Sequence, residues 1–368
     1  MRNRSVLFIG ALPPPITGQS VACKALYDDF KNKNYDVYCI NLSKDSLVSG
    51  VNSFGRIFEV GRIFIKIVSH IRGKDLVYFT PAESIAGNLK DIMVYLLLFL
   101  YGKLPLTFIH MHGGEGMKHI LSDKHPILEK INSFFIKKLA GVIVLGNRLV
   151  SIYEPYLSKD KINIVNNFAT AESFITYTEL RNKNRSYDII RILYLSNLIE
   201  SKGYNDLLDA YFLLNESYRN NLEINFAGSF ESEHQKREFL KKIENISNIK
   251  YHGVVKGKEK RKLFSQSDVF CLPTYYPYEG QPISILEAYA AGCSVITTEH
   301  SGIYDIFTPE VNGLSVRKRK PVDIKDALLK LFEDKLLLRK FSIVNARTAR
   351  TSYRLEHHLS QLRRIFNL

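Results

Sequence analysis

Twelve short apolar runs, separated by stretches of helical spacing, leave this chain few folds to choose from. Six lie in the first half, at Val6–Ile9, Asp36–Ile40, Leu76–Phe79, Leu106–His110, Val142–Leu145 and Ile162–Val165. Six more follow at Ile189–Leu195, Leu222–Ala227, Ile249–His252, Val269–Cys271, Ser294–Thr298 and Leu314–Val316. Runs so short and so apolar read as strands buried on both faces, and their alternation with helices predicts α/β domains with parallel sheets. At 368 residues the chain exceeds what one core usually serves, so two doubly wound domains are expected. The polar stretch Thr170 to Tyr187, poor in packing residues, is the expected linker between a first domain at 1–170 and a second at 188–350. A last helix pattern, Tyr353 to Asn367, fills the tail at 351–368. Two such domains facing one another would bring the strand C-termini of both sheets to a central cleft, where ligands of these sheets bind.

The most informative segment is Tyr278-Glu-Gly-Gln-Pro-Ile-Ser-Ile-Leu-Glu-Ala-Tyr-Ala-Ala-Gly-Cys-Ser-Val-Ile-Thr-Thr298. Pro282 suits a first helical position and Gly292 the residue past a helix end, so the order is loop, short helix, strand. Glu279 then falls in the loop and Glu287 on the helix, both near its N-terminus. The free amides there, from Gln281 through Pro282 and Ile283 to Ser284, with Gly280 letting backbone come close, favour a phosphate. Two carboxylates beside a phosphate site fit polyol hydroxyls, because an ionised carboxylate only accepts hydrogen bonds and can hold adjacent OH groups.

This segment closely resembles the E-x7-E signature of retaining glycosyltransferases of family 4, of the bacterial surface-polysaccharide type, which have the GT-B fold of two Rossmann-like domains. The resemblance spans nearly the whole chain, with its specific part between Ile192 and Asp305. It implies a nucleotide-diphospho-sugar donor, UDP-linked, on the second domain. Glu287 would hold ribose hydroxyls, Glu279 sugar hydroxyls, and Lys202 with the Ser284-end amides the diphosphate. Lys202-Gly203 follows the Ile189–Leu195 strand as the family's phosphate-binding Lys does, but Asn197 stands where the family usually has an Arg; Arg148 or Lys256 could compensate. In Phe108-Ile-His-Met-His-Gly-Gly-Glu-Gly116, His110 reads as a core residue and His112 resembles the family's active-site histidine.

Pro13-Pro-Pro-Ile-Thr-Gly-Gln-Ser20 occupies the place of a phosphate-cradling loop with Gly18 alone where the family has two glycines. Asn166-Asn167-Phe168 and Ala227-Gly228-Ser229 also agree with the family, while Ser301-Gly302 replaces its Gly-Gly. The resemblance further implies that the tail returns to the first domain and that neither cofactor nor metal is required, the nucleotide-sugar being a co-substrate.

Composition bears on partners. The formal charge is +14, with 21 Lys/Arg against 13 Asp/Glu in residues 1–170, where the resemblance places the acceptor. A glycan or lipid-linked acceptor at an anionic membrane surface fits that bias, and no nucleic-acid motif is present. Arg56–Arg72 reads as a crossover helix with a basic, apolar face that would also suit a membrane surface. The longest apolar run, Ile92–Tyr101, is about half of a bilayer span and reads as a core helix. Cys23, Cys39, Cys271 and Cys293 have no metal-ligand or disulfide spacing, and the apolar start is too short for a signal peptide, so a cytoplasmic enzyme is expected, peripheral at the inner membrane face. Its rivals are a sugar-nucleotide epimerase or hydrolase on the same fold, and a non-catalytic basic protein binding membrane or nucleic acid.

Overall fold

A computed structural model describes residues 4–43, 53–183 and 188–367. Each of the twelve apolar runs forms a strand, within a residue or two of its expected limits. The first sheet contains β1 (Ser5–Gly10), β2 (Asp36–Asn41), β3 (Leu76–Phe79), β4 (Thr107–His110), β5 (Gly141–Val144) and β6 (Ile162–Ile164), in the order β2-β1-β3-β4-β5-β6. The second contains β7 (Ile190–Leu195), β8 (Leu222–Ala227), β9 (Ile249–Tyr251), β10 (Val269–Leu272), β11 (Ser294–Thr298) and β12 (Gly313–Val316), in the order β12-β11-β10-β7-β8-β9. Every pairing is parallel. The strand order reverses between β1 and β3 in one sheet and between β7 and β10 in the other. Loops leaving those strands open a crevice at each reversal, the usual ligand site of such sheets.

The chain divides into two units. One comprises residues 1–166, Pro277–Gln281 and His358 onward; the other comprises Asn167–Tyr276 and Pro282–His357. In the first unit, the helix Ser53–His70 crosses from β2 to β3 and buries Ile63 and Ile67, with Ile71 just beyond, while Phe58, Ile65 and Val68 stay exposed. The helix Ile85–Leu100 buries Val94, Tyr95 and Leu98 and exposes Met93, Phe99 and Leu100, so the long apolar run is half core and half surface. Among the described residues no helix is long and apolar enough to cross a membrane. The last helix, Leu355–Ile365, belongs to this unit from His358 on: Arg363 pairs with Asp29 at 3.2 Å and Phe366 packs on Phe30, Tyr78 and Phe108.

The second unit corrects the linker expectation for Thr170–Tyr187. Ile175 and Leu180 enter its hydrophobic core, Arg350 donates to the Ile175 carbonyl, and the helix Tyr177–Lys183 lets Lys183 donate to the Ala291 carbonyl at 2.8 Å. The segment is polar because half of it is a solvated covering layer, and its few apolar residues are enough to anchor it. Residues 184–187 lie outside the described part.

Candidate active site

In the second unit, the loop–helix–strand order of the E-x7-E segment is as expected. Pro282 is the N-cap and not the first helical residue, the helix runs Ile283–Ala290, and Gly292, at φ +63°, takes the left-handed position past its end. There its N–H bonds the Tyr289 carbonyl and that of Cys293 the Ala288 carbonyl. Glu287 sits one turn in from the N-terminus and is 1% exposed. Lys260 Nζ and Thr170 Oγ1 each reach Glu287 Oε1 at 2.5 Å. Thr170 lies in the stretch expected to be linker, and Lys260 lies on the helix Gly257–Gln266 with nothing in its sequence surroundings to pair it with an acid 27 residues later.

The β7 loop flanks the same crevice. Gly203 has φ +78°, and a Cβ there would lie 2.6 Å from the Pro273 carbonyl oxygen, so backbone conformation and space both demand glycine. That turn carries Lys202, whose ammonium stands 5.0 Å from the centre of the Tyr276 ring. Asn197 Oδ1 accepts from Ser229 Oγ at 3.2 Å. Asn197, Lys202, Pro282, Ile283, Ser284 and Glu287 therefore all lie on loops or the helix flanking the β7/β10 reversal.

The remaining predicted residues, Gly18, His112, Glu279, Gly280 and Gln281, lie in the first unit. His112 follows β4 and is half-buried; His110, inside β4, is buried as expected. A polar network that the sequence did not suggest surrounds His110 and His112. Tyr78 Oη and His110 Nδ1 are 2.8 Å apart, the His110 and His112 ring centres 4.2 Å, and Cys23 Sγ and His112 Nε2 3.9 Å. His358, from the last helix, stacks 6.1 Å from His110, and its Nδ1–H donates to the Asn166 carbonyl at 2.8 Å.

Burial holds all three imidazoles neutral: His112 is pushed down to about 3, His358 to about 4, and His110 well below its ordinary value, with the neighbouring histidines adding to the effect on His110 and His112. Burial likewise drives the Cys23 thiol up to about 12, so it stays protonated. Cysteine and tyrosine on separate elements carry no spacing signal; convergence of the β1, β3 and β4 ends is what gathers them.

Glycines shape the His112 loop. A Cβ on Gly113 would fall 2.1 Å from Glu83 Oε1, and one on Gly280 2.3 Å from the His112 carbonyl oxygen. Burial raises Glu83 to about 7, opposed by the amides of Gly114, Gly116, Met117 and Gly113 around it. Gln281 donates to the Leu145 carbonyl and, at 2.9 Å, to Asn166 Oδ1, while Glu279 is buried. Gly18 opens the helix Gly18–Asn32, capped by Thr17 and Ser20, and a Cβ there would meet nothing within 4 Å. Among the described residues no three His, Cys, Asp or Glu side chains converge as a metal-binding group.

Comparison with known proteins defines the class. Residues 177–348 match the family model for glycosyl transferases group 1. An uncharacterized glycosyltransferase of Methanocaldococcus jannaschii is 24% identical, over 85% of this chain and 84% of its own. The amylovoran biosynthesis glycosyltransferase AmsK of Erwinia amylovora is 25% identical, over 65% of this chain and 56% of its own. In shape the chain is similar to sucrose-phosphate synthase from Thermosynechococcus elongatus, with a TM-score of 0.77 at 15% identity over 99% of this chain and 98% of that one. It is also similar to Anabaena HepE, solved in complex with UDP and glucose, with a TM-score of 0.72 at 14% identity over 99% of this chain and all of that one. Residues 177–348 are a group 1 glycosyl transferase domain, and the chain is a glycosyltransferase with the GT-B fold.

Proposed function

We propose that the chain moves a hexose-type sugar from a UDP-sugar to a glycan or lipid-linked acceptor in surface polysaccharide synthesis, with retention of anomeric configuration as in family 4. The observation that carries this reading is the β7/β10 crevice, where a buried carboxylate, a lysine and the N-terminus of an eight-residue helix meet. Glu287 holds ribose hydroxyls through Oε2 while Lys260 and Thr170 fix Oε1. Lys202 and the amides at Ile283 and Ser284 take the diphosphate, whose growing charge in the transition state they stabilise. His112, a neutral imidazole, and Glu279 serve the sugar hydroxyls. The bond from the anomeric carbon to the β-phosphate oxygen breaks, the acceptor oxygen bonds that carbon on the same face, and the acceptor proton passes to the departing phosphate. No cofactor or metal is needed in this scheme.

The part of AmsK in amylovoran biosynthesis and the UDP and glucose bound to HepE favour this reading over an epimerase or hydrolase. The exposed Phe58, Ile65 and Val68 on one basic helix, with Met93, Phe99 and Leu100 on the next, suit a peripheral membrane enzyme with a lipid-linked acceptor. Calorimetry against UDP, GDP, ADP and their sugar conjugates tests the donor site. One nucleotide series should bind saturably and weaken in Glu287→Ala and Lys202→Ala; no binding by the folded protein would sink the reading. Product formed without any acceptor would favour the epimerase or hydrolase.

A further inference from the structure

The donor reading leaves one difficulty: the family's second phosphate-binding cation is missing, because Asn197 stands in its place. The second unit has an answer two loops away. His300 follows β11 and is 7% exposed. Its Nε2 lies 2.7 Å from the Tyr276 carbonyl oxygen and its Nδ1 3.0 Å from Lys318 Nζ. A carbonyl only accepts, so Nε2 carries the proton; Nδ1 of the neutral ring is then the lone pair that accepts from the ammonium. Both sides of the imidazole are satisfied in one tautomer alone, which makes His300 a fixed bracket for Lys318.

The same bracket ties Lys318 to the crevice. Tyr276, which gives its carbonyl to His300, lies under the Lys202 ammonium, and the neighbouring Tyr275 bonds the Ser201 carbonyl through its N–H. Arg319 covers the Tyr275 ring at 4.6 Å. The β12 loop and the loop that carries Lys202 are thus both laid against Tyr275 and Tyr276, after β10. The backbone is bent to do so: Arg319 has φ +56° and Ser301, just after His300, φ +46°, left-handed positions that disfavour a residue with a side chain. Two such residues flanking one Lys–His contact suggest a geometry kept for use. The alternatives fit less well. Lys260 is committed to Glu287, and Lys256 stands at the N-cap of the helix Gly257–Gln266 with no capping bond from its side chain, whereas Lys318 is held by His300.

We propose that Lys318, held in place by His300, supplies with Lys202 the second positive charge for the donor diphosphate, substituting for the arginine that Asn197 replaces. The proposal rests on the donor reading above. Lys318 is the binding residue; His300 acts through it as a positioning residue.

The test is calorimetric titration of the full chain with UDP and with UMP, at low and high salt, with GDP and ADP run beside them. Lys318→Gln should weaken UDP by about tenfold, as expected for one charge-assisted bond, should weaken UMP less, and should flatten the dependence of UDP affinity on salt. His300→Phe should reproduce part of that loss. Adding Asn197→Arg to Lys318→Gln should restore UDP affinity, a rescue that a merely structural role would not give. Lys330→Gln, which removes a surface charge paired with Glu310, should change nothing. Because Lys318 is exposed, its variant should keep the wild-type melting temperature. If Lys202→Ala weakens UDP while Lys318→Gln binds it as tightly as wild type, the inference is overturned and the donor reading stands. If the wild type binds none of UDP, GDP or ADP, the donor reading fails and the inference with it.

Discussion

The two units share a parallel six-stranded design with one reversal of strand order, yet the chemistry at their reversals is opposite. The first unit gathers Cys23, Tyr78, His110, His112 and His358, all held in their neutral forms by burial. The second gathers ionised groups: Glu287 with Lys260, Lys202 beside Tyr276, and Lys318 on His300. A neutral hydrogen-bonding surface suits sugar hydroxyls, whereas fixed charges and helix amides suit a diphosphate. Topology decides where a ligand can sit, and the side chains the loops deliver there decide which ligand it is.

The harshest way to break the contrast is to remove charge from the second unit. Glu287→Ala leaves the Lys260 ammonium, whose side chain is 17% exposed, without its carboxylate in a largely dry place. Breaking a buried pair from one side costs several kcal/mol, and partial access to water puts this case near about 3 kcal/mol. Urea unfolding should show that loss, and Lys260→Met added to it should recover most of the stability. A loss below about 1 kcal/mol would mean that Glu287 is not held as a buried ion.

The neutral side should answer to pH. His358 titrates near 4 in the folded protein and near 6.5 unfolded, so between those values the unfolded chain binds the extra proton. Stability is therefore lost as pH falls below about 6.5 and levels off near 4. At pH 5 the loss from this residue is about 2 kcal/mol, from one and a half pH units at about 1.4 kcal/mol each. Glu83 and Asp91, raised to about 7 and about 6, act oppositely, since their penalty is relieved as they protonate. The clean measurement is thus the stability gap between wild type and His358→Asn, which should shift by about 2 kcal/mol in favour of the variant from pH 7.5 to pH 5. A gap that does not move with pH would show that His358 is hydrated.

Which parts were readable beforehand follows the same division. Strands came through because fully buried runs such as Val6–Ile9 and Val269–Leu272 are continuous in sequence. The acid–glycine–proline segment at 279–292 came through because helix start and stop signals are local. The pairs that set the chemistry are not local: Thr170 meets Glu287 over 117 residues, and Cys23 meets His112 over 89. Such residues gain meaning only when the sheet brings loop ends together. Thr170–Tyr187 misled for a related reason, since a polar covering layer and a free linker have the same composition. Glu279 and Glu287, eight apart in sequence, even fall in different units.

Two glycines of the first unit give the smaller effects. Gly113→Ala drives a methyl into the Glu83 carboxylate and should cost about 1–2 kcal/mol, with His112 displaced. Gly18→Ala should do the reverse. It opens a 15-residue helix, its φ is not in the left-handed region, and a methyl there meets nothing. Alanine restricts the unfolded chain, so stability should rise by about 0.5 kcal/mol. The same methyl would keep a phosphate from the helix N-terminus, so donor affinity should fall although the fold is firmer. A variant both more stable and undiminished in nucleotide-sugar affinity would remove Gly18 from the site and assign the diphosphate to the second unit alone.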